Sequence, residues 1–291
     1  MTAVVPTGAV SAAPTPRRGR GGGAGPDDSG AVPLTPWAGT GLGVAVIWMS
    51  LLVLIPLAAV IVKAAGLGVS GFWDAVTSDD AVSAITLTLG ASAAVTVVNA
   101  FFGTIIAWVL ARDDFHGKRV LETVIDIPFA LPTIVAGLVM LTLYGENSPI
   151  GVDLAGAKAG IVIALLFVTL PFVVRTVQPV LEVLDRESEL AATSLGAGGF
   201  TVFRRIVFPA ILPAVLSGSA LAFARAIGEY GSVVLISAGV QNSQVASMFV
   251  YNRIQVDKLG EAAAVATVLL AIAVVVILGM GLLQKLVAGR G

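Results

Sequence analysis

The chain has 291 residues, 57% of them apolar and only 12% charged, with a mean hydropathy of +0.96. That composition excludes an ordinary soluble domain and points to apolar surface buried in lipid. The formal net charge is −1, there is no cysteine, and the one histidine is His116. Disulfides, thiolate metal sites and Cys nucleophiles are thereby excluded, and no metal centre, cofactor, catalytic residue or nucleic-acid partner is expected.

Residues 1–36 are rich in Gly, Pro, Ala, Ser and Thr, with Arg17, Arg18, Arg20, Asp27 and Asp28. They lack the apolar run of a cleaved signal peptide and the hydrophobicity to order themselves, so they read as a disordered cytoplasmic tail. Residues 37–291 read as the transmembrane domain. About 20 apolar residues cross a hydrocarbon core, and charge-free stretches predict six spans: 41–62, 81–111, 127–145, 159–180 (which carries Arg175), one starting near Ile206, and 262–284. A seventh uncharged region, 230–252, contains SAGVQNSQ, whose polar groups need partners in lipid. It is read as an extension of the fifth helix followed by an external or re-entrant loop.

Orientation follows from Lys and Arg. With six spans and both termini inside, the cytoplasmic face holds Arg17, Arg18, Arg20, Arg112, Lys118, Arg119, Arg186, Arg204, Arg205, Lys285 and Arg290. The outer face holds only Lys63, Lys158, Arg253 and Lys258. The expected location is therefore a plasma (inner) membrane, crossed several times.

Residues 181–209, LEVLDRESELAATSLGAGGFTVFRRIVFP, are polar within an apolar chain and lie on the cytoplasmic side of this topology. Leu181, Leu184, Leu190 and Leu195 recur at near-helical spacing opposite Glu182, Asp185, Arg186 and Glu189. The glycines at 196, 198 and 199 permit a chain reversal. A second short helix, 201–207, carries Arg204 and Arg205 before Pro209 opens the next span. The alternatives are a docking surface for a soluble partner or a plain polar connector.

The spacing resembles the EAA loop of ABC-importer permeases: Glu-Ala-Ala, three residues, Gly, nine residues, Ile-x-x-Pro. Here Leu190, Ala191, Ala192, Gly196, Ile206 and Pro209 meet it. Leu190 stands where the pattern has Glu, and Glu189 directly precedes it, which moves the expected acidic contact to Glu189. Residues 127–141, 169–184 and 219–239 are similar to sulfate/molybdate-type permeases, the last stretch most of all to the T subunit of sulfate/thiosulfate permeases. The resemblance implies an all-α type I importer fold with coupling helices in the 181–209 loop. It also implies a second permease subunit of W type, two copies of a cytoplasmic ABC ATPase, and an extracytoplasmic sulfate-binding protein. The implied cargo is sulfate or thiosulfate, imported into a bacterium. The alternatives are a molybdate or tungstate permease and an ion-coupled secondary anion carrier.

Charges inside the membrane face partners or water. Arg225 and Glu229 lie one turn apart on the fifth helix and can pair. They either line an anion pathway or lock helix packing. Arg175 can snorkel to the inner interface in a structural role or add positive potential at the channel mouth. Pro128, Pro132, Pro171 and Pro213 each remove a helix hydrogen bond and mark hinges or static kinks. Ser217, Gly218, Ser219 and Ala220 permit close helix approach, an expected contact with the second permease subunit. No GxxxxGK[ST] loop is present, so ATP hydrolysis is expected in a separate subunit. Asp79 and Asp80 are expected to be solvated acids, and Asp113, Asp114 and His116 a surface cluster beside Arg112 and Lys118.

Overall fold

No charged side chain interrupts residues 81–111, and they lie within one helix, α4 (Asp79–Arg112), with two acids in its first turn and an arginine in its last. That polarity suits the helix dipole. Its 34 residues give a length of about 51 Å, well beyond the hydrocarbon thickness of about 30 Å. The computed structural model describes residues 36–237 and 243–288, and the expected 1–36 tail lies outside them except for Pro36. Residues 1–52 and 53–291 form two compact units.

The first unit holds α1 (Pro36–Met49). In the second, α2 (Ile55–Ala65) and α3 (Gly68–Thr77) precede α4. Then come α5 (Lys118–Ala130), α6 (Thr133–Tyr144), α7 (Lys158–Val183), α8 (Arg186–Ser194) and α9 (Gly199–Val202). The order ends with α10 (Phe208–Ile227), α11 (Gly231–Ile236), α12 (Ala246–Gln255) and α13 (Leu259–Ala288). Among the described residues, five segments have the length and apolarity of a span: Gly39–Ala65, Asp79–Arg112, Lys158–Val183, Gly199–Ile227 and Leu259–Leu286. A sixth is reached only if α5 and α6 count as one.

The third predicted span, 127–145, is not a single helix: α5 and α6 are bent by 115°. Pro132 disfavours helical geometry at the residue before it, and Leu131 is extended at φ −82°, ψ 136°. Pro128, Pro171 and Pro213 sit inside α5, α7 and α10 without ending them. Of the four expected breaks, Pro132 alone separates two helices.

Two π-helical turns, Ser50–Leu54 and Phe203–Val207, each end two residues before a proline, Pro56 and Pro209. A proline ring clashes with the carbonyl four residues back, and a wider turn relieves that clash. The Phe208 N–H accordingly donates to the Phe203 carbonyl, five residues back. Pro209 therefore does not open a new helix, and the segment Gly199–Ile227 runs through it.

The expected extension of the fifth helix beyond 230 is absent. α10 ends at Ile227, and α11 restarts after Gly228, Glu229 and Tyr230. Of the polar stretch 237–244, residues 238–242 lie outside the described residues. Ser237 and Ser243 at its ends are buried, and each hydroxyl donates to the other's backbone carbonyl, at 2.8 and 3.0 Å. Buried polar groups away from water are satisfied this way.

α7 packs most extensively on α4 and α10. A Cβ on Gly103 of α4 would lie 2.9 Å from the Val173 Cβ, and one on Gly218 of α10 would lie 2.9 Å from the Val173 Cα. Val173 is thus clasped between two glycines. The small stretch at 217–220 therefore makes its close approach within the chain, against α7, while Ser217 Oγ accepts from Gln284 Nε2 on α13 at 2.8 Å. On α4, Thr88, Ser92, Thr96 and Asn99 form a buried polar stripe. Asn99 Nδ2 donates to Thr169 Oγ1 at 2.8 Å and to the Leu166 carbonyl at 3.2 Å, tying α4 to α7.

Candidate coupling loop and membrane charges

Asp185 starts the loop's first helix by accepting from the Glu187 N–H at 2.8 Å, an N-cap that satisfies one free donor of α8. α8 ends in a Schellman-type turn: Ala197 N–H reaches the Ala192 carbonyl at 3.0 Å and Gly196 N–H the Thr193 carbonyl at 2.9 Å. Gly196 has φ +86°, where a side chain is strained, although space around it is open. The Gly in the Glu-Ala-Ala/Gly spacing is thus a conformational requirement of the reversal. The second arm is α9 and the π turn, continuous with α10 rather than the separate 201–207 helix expected.

Leu190, Leu195 and Phe200 are 65%, 89% and 76% exposed. Ala191, Arg204, Arg205 and Pro209 are exposed, Ala192 and Ile206 half-buried. The Glu189 side chain turns back to Arg112 at the end of α4, with which it makes a close ion pair. Arg112 also points Nη1 at the Leu184 carbonyl, 3.5 Å away, while Arg186 Nη2 approaches the Ala111 and Arg112 carbonyls at 3.4 and 3.3 Å. One turn earlier on α4, Trp108 packs edge-to-face on Phe203, with centroids 5.4 Å apart.

Glu229 side chain is 1% exposed. Its Oε1 accepts from the Ser232 N–H at 2.8 Å, which starts α11, and its carbonyl accepts from Ser247 Oγ of α12 at 2.7 Å. Arg225 Nη2 lies 2.6 Å from Oε2, a charge contact without the alignment of a hydrogen bond. The pair is therefore a junction of α10, α11 and α12. A third of the Arg225 side chain is open.

Arg175 does not merely snorkel. Its Nε and Nη2 bond Asp126 Oδ1 and Oδ2 at 2.7 and 2.5 Å, Nη2 reaches the Glu122 carbonyl at 3.0 Å, and Nη1 reaches Gln178 Oε1 at 3.0 Å. Gln178 in turn bonds Glu182 at 2.9 Å. Sequence reasoning missed Asp126 by starting the third span one residue after it. The signal available was the i, i+4 pair Glu122 and Asp126 on one helical face, beside an arginine within the next span.

Asp80 is not simply solvated: Arg253 lies 3.7 Å from it, and 3.4 Å from Glu261. Asp114 and Lys118 form an exposed pair at 3.4 Å, as a surface cluster would. Among the described residues no group of three or more His, Cys, Asp or Glu could hold a metal.

The family model for the binding-protein-dependent transport system inner membrane component matches residues 100–290. The sulfate transport system permease protein CysT of Synechocystis is 41% identical over 86% of this chain and 88% of its own length. Its counterpart in Salmonella typhimurium is 38% identical over 84% and 91%. A bacterial alginate ABC transporter in complex with an alginate pentasaccharide-bound periplasmic protein shares the fold, with a TM-score of 0.71 at 15% identity over 84% of this chain and 92% of that one. The chain is thus a multi-pass membrane protein with the all-α importer-permease fold, and it belongs to the family of binding-protein-dependent transport system inner membrane components.

Proposed function

We propose that this chain is a permease subunit of an ATP-driven importer of sulfate or thiosulfate in a bacterial plasma membrane. The substrate rests on the names of relatives 36–41% identical over most of the chain. The charge distribution supports both termini and the 184–209 loop facing the cytoplasm. Residues 37–291 form the permease domain, and 1–36 a cytoplasmic tail.

The observation that carries the mechanism is the exposed apolar set Leu190, Leu195 and Phe200, on a polar loop between two spans and flanked by exposed Arg204 and Arg205. Large apolar side chains outside the bilayer mark a docking surface. Two copies of a cytoplasmic ABC ATPase dock, one on this loop and one on its counterpart in a second, W-type permease subunit. ATP-driven closure moves the loops, α7 and α10 tilt as a unit with α4, and the pathway alternates its access. An extracytoplasmic binding protein delivers the anion to the outer loops. Arg225, with a third of its side chain open, attracts the anion, while Glu229 cancels enough of its field to prevent trapping. Arg175, held by Asp126, sets the inner mouth.

Replacing Leu195 and Phe200 by Asp tests the docking surface. The permease should stay in the membrane while the ATPase, co-expressed and pulled down through the permease, is lost. Undiminished pull-down contradicts the docking assignment.

A further inference from the structure

The pair that joins the loop to the bundle suggests a role for α4 in energy transmission. Arg112 and Glu189 are only 9% and 19% exposed in their side chains, far less than the apolar side chains around Glu189. A carboxylate so turned inward is poorly placed to meet a partner protein. The contact is also reciprocal: Arg112 leaves α4 to reach α8 and the end of α7, while Arg186 leaves α8 to reach the last carbonyls of α4. Those carbonyls have no helical partners of their own, so arginine donors there are favourable. Trp108, four residues before Arg112, holds the other arm of the loop through Phe203. Positions i and i+4 share a face, so one face of α4 grips both sides of the Gly196 reversal.

The outer half of α4 has a matching attachment. Thr88 Oγ1 accepts from the Ala246 N–H at the start of α12 at 2.8 Å, and the next residue, Ser247, bonds the Glu229 carbonyl. Arg112 and Thr88 are 24 positions apart, about 36 Å along a helix. A continuous helix with fixed contacts at both ends is a rigid element that both sites can bias.

We propose that Arg112 and Glu189 are positioning residues that clamp the docked loop to α4, making α4 the lever that carries loop displacement to the Glu229 junction. Glu189 is then an internal strut and not the acidic contact to the ATPase. The inference rests on the docking of an ATPase at this loop.

The test uses the assembled transporter in lipid nanodiscs with its binding protein and sulfate. Arg112→Ala and Glu189→Gln should each retain the ATPase in normal ratio and hydrolyse ATP without binding protein at the normal rate. Stimulation of hydrolysis by loaded binding protein should fall about tenfold, within the usual range for coupling between sites. The charge swap Arg112→Glu with Glu189→Arg restores the ion pair but not the bond to the Leu184 carbonyl, so it should recover part of the stimulation, which a general packing defect would not allow. In hydrogen exchange on the permease, α8 amides should lose protection in Arg112→Ala and regain it in the swap. Unchanged α8 exchange in Arg112→Ala overturns the clamp, whether or not an ATPase docks there. Loss of ATPase from Glu189→Gln but not from Arg112→Ala overturns it too, because Glu189 would then be a direct contact. Loss of ATPase in the Leu195 and Phe200 variants is the separate readout for docking itself.

Discussion

Arg175 on α7 holds Asp126 on α5 with two parallel bonds, Nε to Oδ1 at 2.7 Å and Nη2 to Oδ2 at 2.5 Å. The fork geometry of a guanidinium suits a carboxylate, and Lys cannot reproduce it. Both side chains are partly open to the surroundings, so the pair falls between exposed and buried ion pairs in strength. Asp126→Asn should destabilise the detergent-solubilised protein by about 1–2 kcal/mol, read as a lower thermal midpoint. Arg175→Lys should show a similar loss. An unchanged midpoint in both would mean that the pair does not hold α5 to α7.

Glu229 is more deeply placed, and its two oxygens do different work. Arg225→Met leaves a buried carboxylate without its counter-charge, which should cost about 3–5 kcal/mol. Adding Glu229→Gln removes that charge but keeps an acceptor for the Ser232 N–H, so the double variant should recover most of the stability. Urea or thermal unfolding of the three variants in one detergent checks this, and a double variant no better than Arg225→Met contradicts it.

The glycine clasp on Val173 makes a steric prediction with an internal control. Gly218→Ala would put a Cβ 2.9 Å from the Val173 Cα and 3.1 Å from the Phe172 carbonyl, where backbone must shift. The expected loss is about 1–3 kcal/mol. Gly228→Ala meets nothing nearer than 3.8 Å and should stay within about 0.5 kcal/mol of the parent. Equal effects at the two positions would remove the close-approach argument.

Asn99→Ala should cost about 1 kcal/mol. The substitution loses the bonds to Thr169 and to the Leu166 carbonyl, but Thr169 Oγ1 still donates to the Leu165 carbonyl at 2.7 Å, so no buried hydroxyl is orphaned. Transport should persist, because the bond ties α4 to α7 without touching the loop or the Glu229 junction. A loss well above this range, measured by thermal unfolding, would show that Asn99 has further partners.

Apolar length and charge were enough to locate the long spans, since lipid imposes a length that sequence states directly. Gly196 was legible because a helix reversal needs φ > 0 there, and Arg225 with Glu229 because i, i+4 spacing puts them on one face. What was not legible depended on direction rather than on composition. The 115° bend at Pro132 looked like any other proline in an apolar run, and three comparable prolines stay inside their helices. The inward turn of Glu189 is set by Arg112, 77 residues earlier, and Asp126 is matched to an arginine 49 residues later. Gly218 announced a close contact but not whether it lay inside the chain or across subunits. Ser237 and Ser243 satisfy each other only because α11 and α12 bring them together.

An ATP-driven permease for sulfate or thiosulfate should show itself in uptake of radiolabelled sulfate, compared between cells lacking this gene and the same cells complemented with it. Deletion should abolish uptake, complementation should restore it, and thiosulfate should compete far better than molybdate. Sulfate uptake that survives the deletion while molybdate uptake is lost would mean that the chain carries molybdate and not sulfate.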